Sequence, residues 1–373
     1  MIDVVRALAP DIRALADRIE RERRLPLELV HTLARAGVFR LCVPRALGGE
    51  EAAPETVFAV LEELGRADGS TGWCAMIGAT SGLVSGYLPD AEARAIYGAS
   101  PEVVTGGVFA PTGRAIREDG HYRVTGRWRF ASGCQHCDWL MGGCLVQDDG
   151  PPRTRMVLFP AADAEIIDTW TVSGLRGTGS HDVAVRELRV PVTRSVSITH
   201  EPPVAPGALY VFPLFGLLGL GIAAVALGIA RRALDETVEL AGGKTPTGGR
   251  RTLAERSTVQ AQLAEAEATL GGGRALLRET IDDAWAAACS RGAIAVALRA
   301  RLRLAATHAT VAAARVVDVA YTLGGGTAVY ADSPLQRAFR DVHVVTQHMM
   351  VAPATWELCG RVLLGLDTDT TML

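Results

Sequence analysis

Residues 114–125 read Arg114-Ala-Ile-Arg-Glu118-Asp119-Gly120-His121-Tyr-Arg-Val-Thr125, two short runs around an Asp-Gly pair. Asp-Gly favours the left-handed backbone of a two-residue hairpin turn, so the stretch predicts neighbouring antiparallel strands. Trp139–Val146, Arg155–Phe159, Ile166–Trp170 and Val183–Val190 continue the pattern, with glycine and proline at short intervals and Pro191 closing it. Upstream the period changes. Pro54 suits a first helical turn, and Val57, Val60, Leu61 and Leu64 then recur on one helical face. Another helix runs from Pro26 to about Ala36 and stops at Gly37, while Gly48-Gly49 and Asp68-Gly69 are further breaks. Downstream, helical periods cover 213–241, 251–290, 293–323 and 334–365, and their short connections suggest an antiparallel four-helix bundle.

Helices, then strands, then helices is an α+β order rather than an alternating α/β one. The expected division is an N-terminal helical domain (1–100), a central antiparallel β-barrel or sandwich (101–205) and a C-terminal helical bundle (206–373). No internal repeat or low-complexity tract interrupts it.

Composition removes several function classes. With 49% hydrophobic and 21% charged residues in 373, the chain can bury a large core. A net charge of −3 lacks the basic footprint that nucleic acid requires. Lys244 is the one lysine, and it sits in the Gly/Thr/Pro stretch 242–249, a poor setting for the desolvated amine of a Schiff-base enzyme. Seven cysteines, an odd number without framework spacing, indicate a reduced, cytoplasmic protein. Cys134, Cys137 and Cys144 cluster around His136, but no second paired motif completes a zinc site, so these read as structural thiols. No signal peptide is visible in Met1–Pro10. Pro202–Ala230 carries no charge, and 211–230 is long enough to span a bilayer. It is broken by Pro213 and several glycines and continues as the amphipathic Arg231-Arg232-Ala-Leu-Asp-Glu, so it reads as a bundle core helix, with no membrane partner.

Two motifs fail on inspection. Gly243-Lys244-Thr245 ends like a phosphate loop, but the required upstream glycine is Val238. Gly324–Gly326 follows a helix and not a strand, so it is no dinucleotide fingerprint. Chemistry concentrates instead in Trp128-Arg-Phe130-Ala-Ser132-Gly133-Cys-Gln-His136 and in Gly174-Leu-Arg176-Gly-Thr178-Gly179-Ser180-His181-Asp-Val183. Each sets hydroxyls and backbone amides beside glycines at a strand end, where a flat polar ring can approach the main chain. The last helix contributes Arg337-Ala-Phe-Arg340-Asp341-Val-His343, followed by Gln347-His348-Met349-Met350.

In this order and spacing the segments resemble the acyl-CoA dehydrogenase superfamily over essentially the whole chain. Gly228-Ile-Ala-Arg-Arg-Ala-Leu-Asp235-Glu236 and Tyr321-Thr-Leu-Gly-Gly-Gly, followed by Arg340-Asp341, are similar to its bundle landmarks. The resemblance implies a homotetramer with flavin between β domain and bundle. Dehydrogenases of the family use a glutamate base, yet the two corresponding places hold Met349 and a position near Leu218. Lys244-Thr-Pro-Thr-Gly248 replaces the arginine-x-x-phenylalanine-glycine motif that reaches the FAD pyrophosphate, which favours FMN over FAD.

These departures resemble the two-component flavin monooxygenases of the same fold: phenol hydroxylases, dibenzothiophene monooxygenases and nitrososynthases. The implied function is oxygenation of a small aromatic or heteroatom-bearing substrate by O2 through a C4a-hydroperoxyflavin, with reduced FMN delivered by a separate reductase. By resemblance Ser132 lies near flavin N5 and His348 over the flavin as the residue that holds or protonates the peroxide. Its imidazole is expected to titrate near neutrality. Trp128, Phe130, Ser132, Gly133, Arg176, Thr178, Gly179 and Ser180 are the implied flavin contacts, and Trp73, Ser81 and Met349 the substrate contacts. Between Trp73 and Ser100 there is no histidine, so the phenolic base of the phenol hydroxylases is missing. The alternatives are an FAD-dependent acyl-CoA dehydrogenase with an atypical base, and a non-catalytic scaffold.

Overall fold

The computed structural model describes residues 1–147, 153–291 and 294–373. Five helices come first: α1 (Ile2–Glu22), α2 (Leu27–Arg35), α3 (Pro54–Ala67), α4 (Gly69–Ser81) and α5 (Asp90–Tyr97). Seven strands follow: β1 (Thr105–Glu118), β2 (His121–Ala131), β3 (Trp139–Gln147), β4 (Arg153–Pro160), β5 (Glu165–Ile167), β6 (His181–Pro191) and β7 (Ser195–Val196). The rest is helical: α6 (Ala208–Val211), α7 (Leu214–Gly243), α8 (Ser257–Arg291), α9 (Val296–Gly324), α10 (Pro334–Val345) and α11 (Ala354–Leu363).

Local chemistry explains the elements that position the site. Asp68 caps α4: its Oδ1 accepts from the Thr71 amide at 2.7 Å and the Thr71 hydroxyl at 2.8 Å. The expected apolar face of α3 is fully buried at Val57, Val60, Leu61 and Leu64. Apolar side chains of α1–α4, α7, α9 and α10 merge into one large core. α7 has the length and composition to cross a membrane, but 83% of its most apolar window is buried inside the protein, and it is the central helix of that core.

The strands form one sheet, ordered β5-β6-β2-β1-β3-β4-β7. The Asp119-Gly120 hairpin forms as expected, with Glu118 opposite His121 and Arg114 opposite Thr125. The sheet is mixed, however, where an antiparallel barrel or sandwich was expected, because β1 also pairs with β3 in parallel. Hairpin signals report only the next strand, and the parallel pair arises because the short connection 132–138 carries the chain from β2 to the other edge of β1. Residues 109–112 of β1 stand opposite Gly143 alone, a bulge that bends the strand.

Two further expectations change. The strand expected at Ile166–Trp170 ends at Ile167, where Asp168 turns away to pair with Arg23 at 2.6 Å. The helix expected over 334–365 breaks between Val345 and Ala354. Pro353 has no amide proton to continue the ladder, and residues 346–351 close in short turns instead. His348 therefore lies in a turn, not in a helix. The expected start of the third bundle helix at 293 lies outside the described residues.

Candidate functional site: a hydroxyl chain facing a buried histidine and arginine

Strand β2 changes character at its end. Trp128 opposes Val183 on β6 and Ala131 opposes His181, so β2 carries one extra residue there. Phe130 takes the strain with φ 65°, a left-handed backbone that a bulky side chain rarely adopts. The bulge swings its ring outward, leaving it 68% exposed. An exposed aromatic ring on a strained backbone is a feature to be expected at a ligand site, not in packing. Gly133 (φ 74°) and Gly179 (φ 51°) complete two left-handed turns that face one another, and the Gly133 amide donates to the Thr178 carbonyl at 2.9 Å.

Four side chains from three segments form a single hydrogen-bond chain. The Trp73 indole N–H on α4 donates to Ser132 Oγ at 3.0 Å. Ser132 Oγ lies 2.6 Å from Ser180 Oγ, which lies 2.7 Å from Thr178 Oγ1. Thr178 in turn donates to the Leu175 carbonyl at 2.8 Å. Each hydroxyl has one proton, and the last must go to the carbonyl, so all the others point the same way. Ser132 thus spends its proton on Ser180 and accepts from Trp73. It keeps one lone pair, which makes it an acceptor towards any ligand.

The 175–180 loop is anchored from below. Asp341 on α10 accepts from the Leu175 amide at 2.6 Å. Burial, with a further push from the nearby Asp68 carboxyl, moves the Asp341 carboxyl up to about 7, against the lowering effect of the Leu175 hydrogen bond. Arg337 and Arg340 on α10 pair with Glu20 on α1 at 2.8 and 2.7 Å, and Arg337 also reaches Asp17.

The Trp73 indole touches a second group through its ring. His348 packs edge-on against it, with centroids 5.6 Å apart and planes at 65°. His348 Nδ1 accepts from the Met350 amide at 3.2 Å. Burial pushes the imidazole down to about 4, and the nearby Arg303 cation lowers it further. His348 is therefore neutral at pH 7, contrary to the expectation that it titrates near neutrality. With Nδ1 accepting, the proton is on Nε2, so the ring presents a fixed, uncharged donor.

Behind Met350 lies Arg303 of α9, only 2% exposed. Its Nη1 donates to the Met372 carbonyl at 2.6 Å and its Nη2 to the Met350 carbonyl at 2.9 Å. Its Nε has no partner. Sequence reading missed Arg303, although a signal was present: it falls on the same helical face as Ala300, Ala306, Thr307 and Thr310, all buried.

The structure thus brings together Trp73, Phe130, Ser132, Gly133, Thr178, Gly179, Ser180 and His348. Met349 follows His348 and is 62% exposed. Arg176 stands at the start of the loop with Glu20 4.0 Å away and a buried, unpaired Nε. Trp128 is not part of the group. Its indole donates to the Gly143 carbonyl at 2.8 Å and fills the sheet core, where a Cβ on Gly113, Gly126 or Gly142 would meet the ring at 2.3–2.7 Å. Ser81 is buried near Tyr97, two helical turns along α4 from Trp73, and makes no hydrogen bond to the group. The cysteines are free, and burial raises the Cys134 and Cys144 thiols to about 12. The two discarded glycine motifs meet: Lys244 Nζ donates to the Gly324 carbonyl at 2.6 Å and to Thr327 Oγ1 at 2.7 Å. Lys244 thus spends its charge on Gly324 and Thr327 in the segment where the family's motif would set an arginine.

Comparison with known proteins agrees with this arrangement. Residues 1–90 match the acyl-CoA dehydrogenase N-terminal domain and residues 220–353 the acyl-CoA dehydrogenase C-terminal domain. The indole-3-acetate monooxygenase of Pseudomonas putida is 34% identical over 95% of this chain and 90% of its own length. The chain belongs to the acyl-CoA dehydrogenase superfamily, on its flavin-dependent monooxygenase branch. Also similar is the flavin-dependent monooxygenase oxygenase subunit HsaA of Rhodococcus jostii, at 30% identity over 98% of this chain and 99% of that one. XiaF from a Streptomyces species, solved in complex with FADH2 and glycerol, superposes with a TM-score of 0.92 at 26% identity, covering 98% and 95% of the two chains. The protein is accordingly a flavin-dependent oxidoreductase, the oxygenase component of a two-component monooxygenase.

Proposed function

We propose that the protein binds reduced flavin on the Phe130–Gly133 and Arg176–Ser180 turns and oxygenates a small aromatic or heteroatom-bearing substrate held between Trp73, His348 and Met349. The observation that carries this reading is the one-way hydroxyl chain that leaves Ser132 with a single free acceptor. Reduced flavin has an N–H at N5, and an acceptor complements it. The exposed, strained Phe130 and the unpaired Arg176 Nε add a flat apolar surface and a polar donor, so the residues present fit the group.

When bound, reduced flavin supplies the two electrons that allow O2 to place one oxygen atom in the substrate and release the other as water. The chain's residues govern where that happens. Ser132 fixes the ring edge and gives up no proton, because its own is held by Ser180. Neutral His348 donates from Nε2 to oxygen and holds it without adding charge. Trp73 keeps these two groups in register. The apolar side chains around His348 exclude water, which would carry protons to the wrong atom. No carboxylate hydrogen-bonds any member of this group among the described residues, which disfavours proton abstraction from an acyl thioester.

A separate reductase supplies the flavin, and the working assembly is a homotetramer in the cytoplasm, with units at 1–100, 101–205 and 206–373. FMN is the preferred cofactor because the arginine motif for the FAD pyrophosphate is missing, while Lys244 offers FAD a cation. Anaerobic titration with reduced FMN and reduced FAD ranks the two. The function is tested by turnover under 18O2 with a flavin reductase: product carrying one 18O atom is expected, and product without label contradicts the proposal.

A further inference from the structure

His348 sits in a stretch that no regular element holds. Residues 346–351 lie between α10 and α11 and close only short turns, with the amide of Gln347 on Val344, of His348 on Val345 and of Val351 on His348. A proton donor on so few backbone bonds needs another anchor to stay within reach of its target. Among the described residues, one side chain from outside 346–355 hydrogen-bonds to this stretch. It is Arg303 of α9, whose Nη2 donates to the Met350 carbonyl at 2.9 Å. Met350 in turn gives its amide to His348 Nδ1 at 3.2 Å.

The other arm of Arg303 reaches a segment remote from the site in sequence. Its Nη1 donates to the Met372 carbonyl at 2.6 Å. Arg299, one turn earlier on the same face of α9, donates to the Leu373 main-chain oxygen at 2.9 and 3.1 Å and to the Thr370 carbonyl at 2.8 Å. Leu373 is 2% exposed and packs with Ala300 of α9 and Cys359 of α11. Residues 366–373 are neither helix nor strand, yet two guanidinium groups and a buried leucine seat them along α9. The carboxylate of Asp369 takes no part, because it turns back to its own Thr371.

Hydrogen bonds therefore run from 366–373 through Arg303 and Met350 to His348, which meets Trp73 edge-on. A guanidinium suits that place, since its planar fork holds two acceptors at a fixed angle. We propose that Arg303 is a positioning residue for His348, and that residues 366–373 are the strap that fixes Arg303. It acts through the Met350 peptide, which orients the imidazole, and not on flavin or substrate. The inference rests on the monooxygenase reading for what His348 does, but not for how it is held.

Two variants break the link at different points. Arg303→Met removes the bridge, and Leu373→Asp unseats the strap while Arg303 stays. In each, product formed per reduced flavin oxidised should fall about tenfold, with reduced-flavin affinity within about twofold. Arg303→Lys, which keeps one donor arm, should lose less. In a His348→Ala background neither change should lower the coupling further, because a residue that acts through His348 has nothing left to act on. Losses that multiply in the double variants, or wild-type coupling in either single variant, overturn the proposal. Deuterium uptake by the flavin-loaded protein supplies a readout that needs no turnover. Leu373→Asp should speed exchange over 344–352 and leave 130–133 and 175–180 as in wild type. Unchanged exchange over 344–352, or a rise spread over all three, overturns the strap. Faster exchange confined to 344–352, with no product from the wild-type protein, removes only the monooxygenase reading.

Discussion

The two walls of the site differ in how completely their polar groups are satisfied. On the sheet side, Trp73, Ser132, Ser180 and Thr178 form a chain in which every proton has an acceptor and each hydroxyl keeps only one free lone pair. On the helical side, His348 and Arg303 share the Met350 peptide, and the guanidinium keeps an unpaired Nε and meets no carboxylate among the described residues. A closed network holds its members in one orientation, so the sheet side serves to position. The helical side leaves its cation uncompensated, and burial, helped by that charge, keeps His348 neutral. The comparison also separates two kinds of neutrality. His348 is uncharged because burial lowers it, and Asp341 is largely protonated up to pH 7 because burial raises it.

His348→Ala should break the helical wall most severely. Product formed per reduced flavin oxidised should fall by about 100-fold, the usual scale for losing a positioned proton donor, while reduced-flavin affinity stays within about twofold. Coupled assays with the best wild-type substrate check this, and unchanged coupling would make His348 a packing residue. Wild-type coupling should not change between pH 6 and 8 on account of His348, which is neutral throughout; a titration in that range that is absent from the alanine variant would contradict its lowered pKa.

Ser132→Ala sharpens the other wall. It removes the acceptor and leaves the Trp73 N–H without a partner, so the near-ultraviolet band seen on mixing with oxygen should decay about tenfold faster. An unaltered decay would remove Ser132 from the chemistry.

Asp341→Asn tests the loop anchor through pH. Asp341 titrates near 7 in the folded protein against an ordinary value of 3.8. Its contribution to stability is therefore fully present below about pH 4 and is lost as pH rises through about 7. Asparagine keeps an acceptor for the Leu175 amide and cannot ionise, so the variant should melt above wild type at pH 8 and together with it only below about pH 4. Equal melting temperatures at both would show that Asp341 ionises normally.

The smallest effect is expected for Phe130→Gly. Relieving a left-handed phenylalanine should raise stability by about 1 kcal/mol or less. Flavin affinity should weaken several-fold, and a variant that loses stability instead would show that the strain is absent.

Much of this was readable beforehand, and for definite reasons. Asp119-Gly120, the repeating apolar face of α3 and the uncharged core helix α7 are local patterns, and local patterns survive folding. The two glycine-rich hydroxyl segments were found because glycine beside serine and threonine marks close approach to backbone. What stayed hidden depends on long-range geometry. The parallel β1–β3 pair leaves no trace in a strand's own residues. Trp128 has the composition of a ligand contact, but Gly113 and Gly142, distant in sequence, open the space that makes it a core residue. Ser81 was placed by analogy of position and lies at the other end of α4 from Trp73. The protonation of His348 follows from burial and from Arg303, neither of which the sequence around it records. The meeting of Lys244 with Gly324 requires two bundle helices to return to the same end.

The most direct test of the central claim is stopped-flow absorbance on mixing the protein and anaerobically reduced FMN with oxygenated buffer. The account predicts a near-ultraviolet band that forms before oxidised-flavin absorbance returns. Reoxidation in one step, at the rate of free flavin, would contradict it.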